Sequence, residues 1–328
     1  MNYKEKRIYI AGSGGMVGKA IRNNFEKSGY RDPIVRTSIE LDLTDQTKVD
    51  RFFSVEKPEV VIVAAAKVGG ILANDTYRAE FLYDNLMIEA NVIHSAYKHQ
   101  VEKLIFLGSS CIYPRLASQP IKEESLLTGP LESTNEPYAI AKIAGIKLCE
   151  NYFRQYQSDF FSVMPTNLYG PNDNFDLQSS HVIPGLIHRL HIAKTAASDE
   201  VIVWGSGTPL REFLYVEDLA DAVVFLLENL EAREAYAYGI SHINIGSGIE
   251  IEIRDLVELI KKIVGFEGSI RFDTEKPDGT PRKFLDSSRL SKIGWQPKIS
   301  LEDGLKLTYD WFLRSGVFEN SKHALDHK

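Results

Sequence analysis

Cysteine is scarce: two in 328 residues, Cys111 and Cys149. That excludes a disulfide framework, and no Cys/His cluster shows zinc-ligand spacing, so no metal site is expected. Long apolar runs are also missing. The longest, Val60 to Ala66, falls far short of the roughly 20 residues that span a bilayer. The segment Met1-Asn-Tyr-Lys-Glu-Lys-Arg7 runs straight into Ile8-Tyr-Ile-Ala11 without the apolar core of a signal peptide, so a cytoplasmic location is expected. Nor is there a surplus of positive charge. The 38 Lys and Arg against 45 Asp and Glu leave a net charge of -7, which makes nucleic acid and anionic membrane surfaces poor general partners. Any bound anion needs a local site. Internal repeats, heptads and low-complexity tracts are absent too. What remains, 44% hydrophobic and 25% charged, is globular composition, long enough for one large domain with a smaller one appended.

Runs of β-branched and apolar residues recur at 7–11, 33–36, 59–65, 103–108 and 160–165, with helix-period segments near 16–28, 45–55, 76–99 and 137–156. This rhythm predicts an α/β fold, a Rossmann-type doubly wound parallel sheet covered by helices on both faces. After Pro171 the rhythm loosens. A helix is expected near 184–195, a strand near 201–204, a strand and helix within Arg211 to Asn229, and a strand near 242–246. Helices near 253–264 and 301–314 follow, with the loop-like Lys276-Pro-Asp-Gly-Thr-Pro-Arg282 between them. The expected division is a dinucleotide-binding domain over 1–170, with contributions from about 211–246, and a smaller α/β substrate lobe from 171–210 and 247–328.

The first strand ends in Gly12-Ser-Gly-Gly-Met-Val-Gly18. Gly12 suits a tight turn, Gly15 the close approach of a pyrophosphate and Gly18 close packing of helix on strand. The phosphates would then sit on the N-terminus of the following helix. At the end of the second strand, Arg36 suits the 2′-phosphate of NADP, whereas Glu40 and Asp42 keep NAD open. Asp42-Leu43 is alternatively placed beside the adenine.

Tyr138 and Lys142 lie four residues apart, on adjacent turns of one helix face. A nearby ammonium lowers a tyrosine pKa and prepares the phenol to exchange protons with a carbonyl or alcohol. The strand ending at Leu107 delivers Ser109 and Ser110 to the crevice of the sheet. Beside them stands Cys111, whose plain reading is a small buried hydrophobe. Cys149 falls on the same helical stripe as Tyr138 and Lys142 and reads as core.

With the glycines and the Tyr-Lys pair on the page, the chain resembles the extended short-chain dehydrogenase/reductases. Gly108-Ser-Ser-Cys-Ile-Tyr-Pro, Thr134-Asn-Glu-Pro-Tyr-Ala-Ile-Ala-Lys, Met164-Pro-Thr-Asn-Leu-Tyr-Gly-Pro, Ser180-His-Val-Ile-Pro and Val203-Trp-Gly-Ser-Gly-Thr-Pro-Leu-Arg-Glu-Phe narrow the resemblance to the GDP-L-fucose synthase family, over nearly the whole chain. The resemblance implies NADP(H) as cofactor, a GDP-sugar substrate, a homodimer, and 3,5-epimerisation followed by 4-keto reduction of GDP-4-keto-6-deoxy-D-mannose. It implies that Ser109 hydrogen-bonds the keto oxygen, Tyr138 donates the proton and Lys142 holds the nicotinamide ribose. Cys111 and His181 match the family's epimerisation pair. Substrate contacts are implied at Arg189, Trp204, Arg211 and Asp278, and the two arginines suit a diphosphate by charge. The cofactor wall expected on this basis begins with Gly12, Ser13, Gly14, Gly15, Met16, Val17 and Gly18. It continues through Arg36, Asp42 and Leu43, then Leu107, Gly108, Ser109 and Ser110. Lys142, then Pro165, Thr166, Asn167 and Leu168, and finally His181 complete it. One departure stands out: many members of the family carry arginine where this chain has Gly14, which leaves the preference for NADP mainly to Arg36.

The chemistry is self-consistent. Protons at C3 and C5 are acidic because both carbons flank the C4 ketone, and the groups that reduction needs at the C4 oxygen can first stabilise an enolate there. Cysteine and histidine both titrate near neutrality in suitable surroundings. Two rival readings share parts of the pattern. A nucleotide-sugar 4-epimerase or 4,6-dehydratase would keep the fold and the Tyr-Lys pair, but the dehydratases place an acid where Cys111 stands. A dinucleotide sensor without catalysis would be free to lose Ser109, Tyr138 or Lys142, and all three are present.

Overall fold

The computed structural model describes residues 2–317 other than Gln178 and Pro277. Strand β1 (Ile8–Ala11) gives way through the glycine turn to α1 (Met16–Lys27). Helix α2 (Gln46–Glu56) starts at Asp45, whose carboxylate accepts the N–H groups of Thr47 and Lys48, and ends at Lys57 in the left-handed region. The apolar run then becomes β2 (Val60–Val63). After it come α3 (Ile71–Thr76), α4 (Arg78–Lys98), β3 (Lys103–Leu107), α5 (Glu136–Tyr156), β4 (Asp159–Pro165) and β5 (Asn167–Tyr169). The remainder holds α6 (Val182–Thr195), β6 (Glu200–Trp204), β7 (Leu210–Tyr215), α7 (Val216–Asn229), α8 (Ala232–Ala235), β8 (Ile243–Ile245), β9 (Glu250–Glu252), α9 (Ile253–Val264), β10 (Ser269–Asp273), β11 (Arg282–Lys283), α10 (Ser288–Ile293) and α11 (Leu301–Arg314).

The main sheet is parallel, in the order β1-β2-β3-β4-β8. Strand alternation divides its side chains between two cores. Ile8, Ile10, Ile62, Ile105 and Leu107 pack with α1 and α7, whereas Tyr9, Ala11, Val61, Val63, Leu104 and Phe106 pack with α2, α4 and α5. Both faces are therefore dry, and this is why the strands read as continuous apolar runs. Segment 33–36, expected as a strand, reaches the sheet only through Ile34, which exchanges hydrogen bonds with Ile8 and Ile10. Pro33 has no N–H to extend that edge ladder.

A third core lies between α6, α9, α11 and the strands β6 and β7. There β10 pairs β6 in parallel, the first half of β7 is flanked by β11 and antiparallel β9, and its second half pairs β5. Strands β5, β9 and β11 are two or three residues long, too short for a periodic signal in the sequence. Among the described residues no helix is long and apolar enough to cross a membrane.

Candidate active site

A cavity of about 1950 Å³ opens at the C-terminal ends of the main strands and runs to β6, β7 and β11. At one end the glycine turn forms a cradle. Gly12 sits at φ +84°, and a Cβ there would stand 2.6 Å from the Ala65 backbone. A Cβ on Gly18 would overlap the Gly12 carbonyl, while Gly14 faces open space. Gly15 caps α1 without a side-chain bond, so the first-turn N–H groups remain available to an anion. This set fits the pyrophosphate of a dinucleotide. The expected wall residues at 12, 14–18, 42–43, 107–110 and 165–168 line the same cavity, as do Arg36, Lys142 and His181. Ser13 does not reach the lining.

Arg36 is already engaged. Its guanidinium pairs with Glu56 at 2.5 Å, donates to the Val35 carbonyl at 2.7 Å and lies over the Phe52 ring. Asp42 accepts both the N–H and the hydroxyl of Thr44, which hold its carboxyl below the usual range. It is thereby turned toward its own loop.

Ser109, Cys111, Tyr138, Lys142 and His181 all line this cavity. Cys111 lies in a 3-10 turn, Ser110–Ile112. That turn is anchored from behind by Tyr113, whose hydroxyl lies 2.6 Å from His242 Nε2 and donates to Asn244 Oδ1 on β8. Helix α5 presents Tyr138 and Lys142 one turn apart, with the Lys142 ammonium 5.8 Å from the tyrosine ring centre. His181 occupies the N-cap position of α6, yet its side chain caps nothing there. Cys149 is fully buried in the core, as expected from its stripe.

The electrostatics differ from the simple Tyr-Lys picture. Lys142 Nζ lies 2.9 Å from Glu89 Oε1 and donates to the Leu107 carbonyl at 3.2 Å. Glu89, on α4, is 1% exposed. Burial pushes its carboxyl up and Lys142 pulls it back. With the ammonium answered by an acid, burial dominates at Tyr138 and holds the phenol well above its ordinary value, reinforced by Cys111 and Glu89. The phenol therefore stays protonated, as a donor must. Sequence reasoning missed Glu89, although a signal existed: it shares an i, i+4 stripe with the buried Phe81 and Asn85. Burial likewise pushes the Cys111 thiol up, against Lys283, Ser109 and Lys142, while desolvation within the cavity, with Lys283 acting the same way, pushes the His181 imidazole down.

At the far end stand Arg189 of α6 and Arg211 of β7, neither paired with a carboxylate among the described residues, and both partly desolvated. Trp204 is 63% exposed, which rules out core packing; Arg189 and Lys276 lie over its ring at 5.8 and 5.6 Å. Asp278 accepts the N–H and hydroxyl of Ser206 at 2.6 and 2.8 Å. Lys283 lines the same wall and was not singled out by the sequence pattern.

The pattern of the NAD dependent epimerase/dehydratase family matches residues 8–246. The chain is 58% identical to GDP-L-fucose synthase 1 of Arabidopsis thaliana, over 96% of this chain and 95% of that protein. It is 55% identical to GDP-L-fucose synthase of Escherichia coli (strain K12), over 95% and 98%. Its fold is similar to the crystal structure of a GDP-L-fucose synthetase from Naegleria fowleri bound to NADP, with TM-score 0.85 and 29% identity, covering 95% of each chain.

Proposed function

The chain belongs to the NAD dependent epimerase/dehydratase family, and from that premise we infer that it converts GDP-4-keto-6-deoxy-D-mannose to GDP-L-fucose by inversion at C3 and C5 and reduction at C4. One observation carries this reading. A single cavity joins a dinucleotide cradle, the set Ser109, Cys111, Tyr138, Lys142 and His181, and two arginines without acidic partners. The cofactor end belongs to the 1–170 side, and the GDP-sugar lies toward 171–210 and 247–328.

Ser109 and Tyr138 meet the C4 oxygen and stabilise the enolate formed when a neighbouring carbon loses its proton. Cys111 and His181 exchange protons with opposite faces of that carbon. Arg189 and Arg211 bind the diphosphate, whose charge compensates their desolvation. NADPH, when bound, supplies hydride to C4. Tyr138 then gives its proton to the C4 oxygen, and Lys142 orients the ribose beside it. A reductase without inversion would have no use for a Cys111–His181 pair in the same cavity. The test is incubation with GDP-4-keto-6-deoxy-D-mannose and NADPH, with NMR of the product. Recovery of the unreduced or uninverted sugar overturns the assignment.

NADPH is the expected reductant because Arg36 stands where the second strand would end. Releasing it from Glu56 for a 2′-phosphate replaces one charge-assisted pair by another. Arg36→Asp should cost about tenfold to a hundredfold in kcat/KM for NADPH and little for NADH. Equal use of both nucleotides by the wild type in steady-state kinetics rules out this role.

Glu89 is expected to hold Lys142 in place. Glu89→Gln leaves a buried ammonium without its counter-charge and should lower stability by about 3 kcal/mol, read by urea unfolding. Unchanged stability means that the pair at 2.9 Å contributes nothing net.

A further inference from the structure

One half-buried cation in the cavity wall, Lys283, has no acidic partner among the described residues. Lys283 lies on β11, in register with Arg211 of β7. The strand is short but tied on both sides. Leu210 N–H donates to the Pro281 carbonyl at 2.9 Å, and Leu285 N–H to the buried Glu212 at 3.1 Å. On the other flank, Ile121 N–H donates to the Phe284 carbonyl at 2.7 Å, and the Gln119 amide bridges the Arg282 carbonyl and the Phe284 N–H at 3.1 and 2.9 Å. Residues 119–121 continue the segment that carries Cys111, so these bonds fasten Lys283 to the thiol's own stretch of chain. Arg282 is forked onto Glu250 at 2.7 and 2.6 Å. Both Arg282 and Lys283 line the cavity, but of the two only Arg282 has an acidic partner among the described residues. Among the described residues the Lys283 ammonium has no ion pair or hydrogen bond, and it shares the cavity wall with Cys111 and His181.

We propose that Lys283 is a positioning residue for epimerisation, its ammonium holding the anionic form of the Cys111 sulfur. The proposal rests on the reading of Cys111 and His181 as the inverting pair. Each inversion moves a proton from carbon to one member of the pair and a proton from the other member to the opposite face of the same carbon. When Cys111 receives, it begins as thiolate and ends as thiol; when it gives, it begins as thiol and ends as thiolate. No electrons are transferred, and in either direction the sulfur is anionic once. A fixed cation beside it helps both directions. Cys111, Lys283, Lys142, Tyr138, Ser109 and Arg211 line one cavity, with Lys283 of β11 in register with Arg211 of β7; the charges acting on the sulfur are those of Lys283 and Lys142, with Ser109 donating to it, and those acting on Lys283 are Cys111 and Arg211. Of the influences opposing burial at the thiol, Lys283 is the largest.

Thiolate absorbance, taken as the difference between wild type and Cys111→Ser and followed over about pH 6 to 11, reads the sulfur in the whole chain without substrate. At the pH where half of the wild-type thiol is ionised, Lys283→Met should hold about tenfold less thiolate than wild type, and Lys283→Arg should recover most of it. Wash-in of deuterium at C3 and C5 of the ketosugar should fall and recover in parallel. An unmoved titration in folded Lys283→Met overturns the proposal. So does a loss confined to GDP affinity, measured alongside, which would make Lys283 a diphosphate ligand. Should Lys283→Met not fold, Lys283→Gln carries the same titration. A shifted titration combined with no wash-in by the wild type would instead sink the underlying reading of the inverting pair.

Discussion

Tyr138→Phe is expected to lose ketone reduction by about a hundredfold or more, the low end for a missing general acid, while NADPH binding survives. The reason lies in the helix. Tyr138 and Lys142 share one face of α5, and removing the hydroxyl leaves the fold, the glycine cradle and the Lys142–Glu89 pair untouched. Burial holds the phenol well above its ordinary value, so the proton it must donate is present throughout the neutral range. Single-turnover oxidation of NADPH, with cofactor binding followed by fluorescence, separates the two effects. The alkaline limb of that rate should show no loss of the donor below about pH 10, the ordinary value for tyrosine. Near-native reduction by folded Tyr138→Phe would remove the phenol from the mechanism.

Cys111→Ser is expected to abolish most proton exchange at C3 and C5 while sparing the cofactor. In deuterated water without reduced cofactor, the wild type should introduce deuterium at both carbons. A serine hydroxyl, whose pKa lies far above that of a thiol, cannot replace the sulfur as base, and a loss of about a hundredfold is expected. The thiol lies in the cavity wall at 7% exposure, although its burial raises its pKa. Burial and chemistry are thus compatible at this residue, unlike at Cys149, which lies wholly in the core. His181→Asn should slow inversion or leave it incomplete at one carbon, because the imidazole at the α6 N-cap supports no helix end that its loss would unravel. Native exchange by folded Cys111→Ser would make the thiol packing alone.

The doubly wound sheet was legible because each buried strand is a continuous apolar run, and each covering helix repeats its apolar residues on one face. The edge at Ile34 was not, since a single bridge beside Pro33 leaves no pattern. The site was legible in part for the same local reason: Tyr138 and Lys142 are one helical turn apart, and Gly12, Gly15 and Gly18 mark one turn and one helix start. The sequence by itself therefore determined the long buried strands and their covering helices, and which short spacings carry chemistry. Only the tertiary structure decided which charges answer one another. Glu89 and Lys142 come from different helices, Arg36 meets Glu56 across α2, and Lys283 reaches the Cys111 wall from a two-residue strand far along the chain. Periodicity is a property of neighbouring residues, whereas the strength of a charge pair depends on distance and on the water excluded around it, and packing between distant segments sets both.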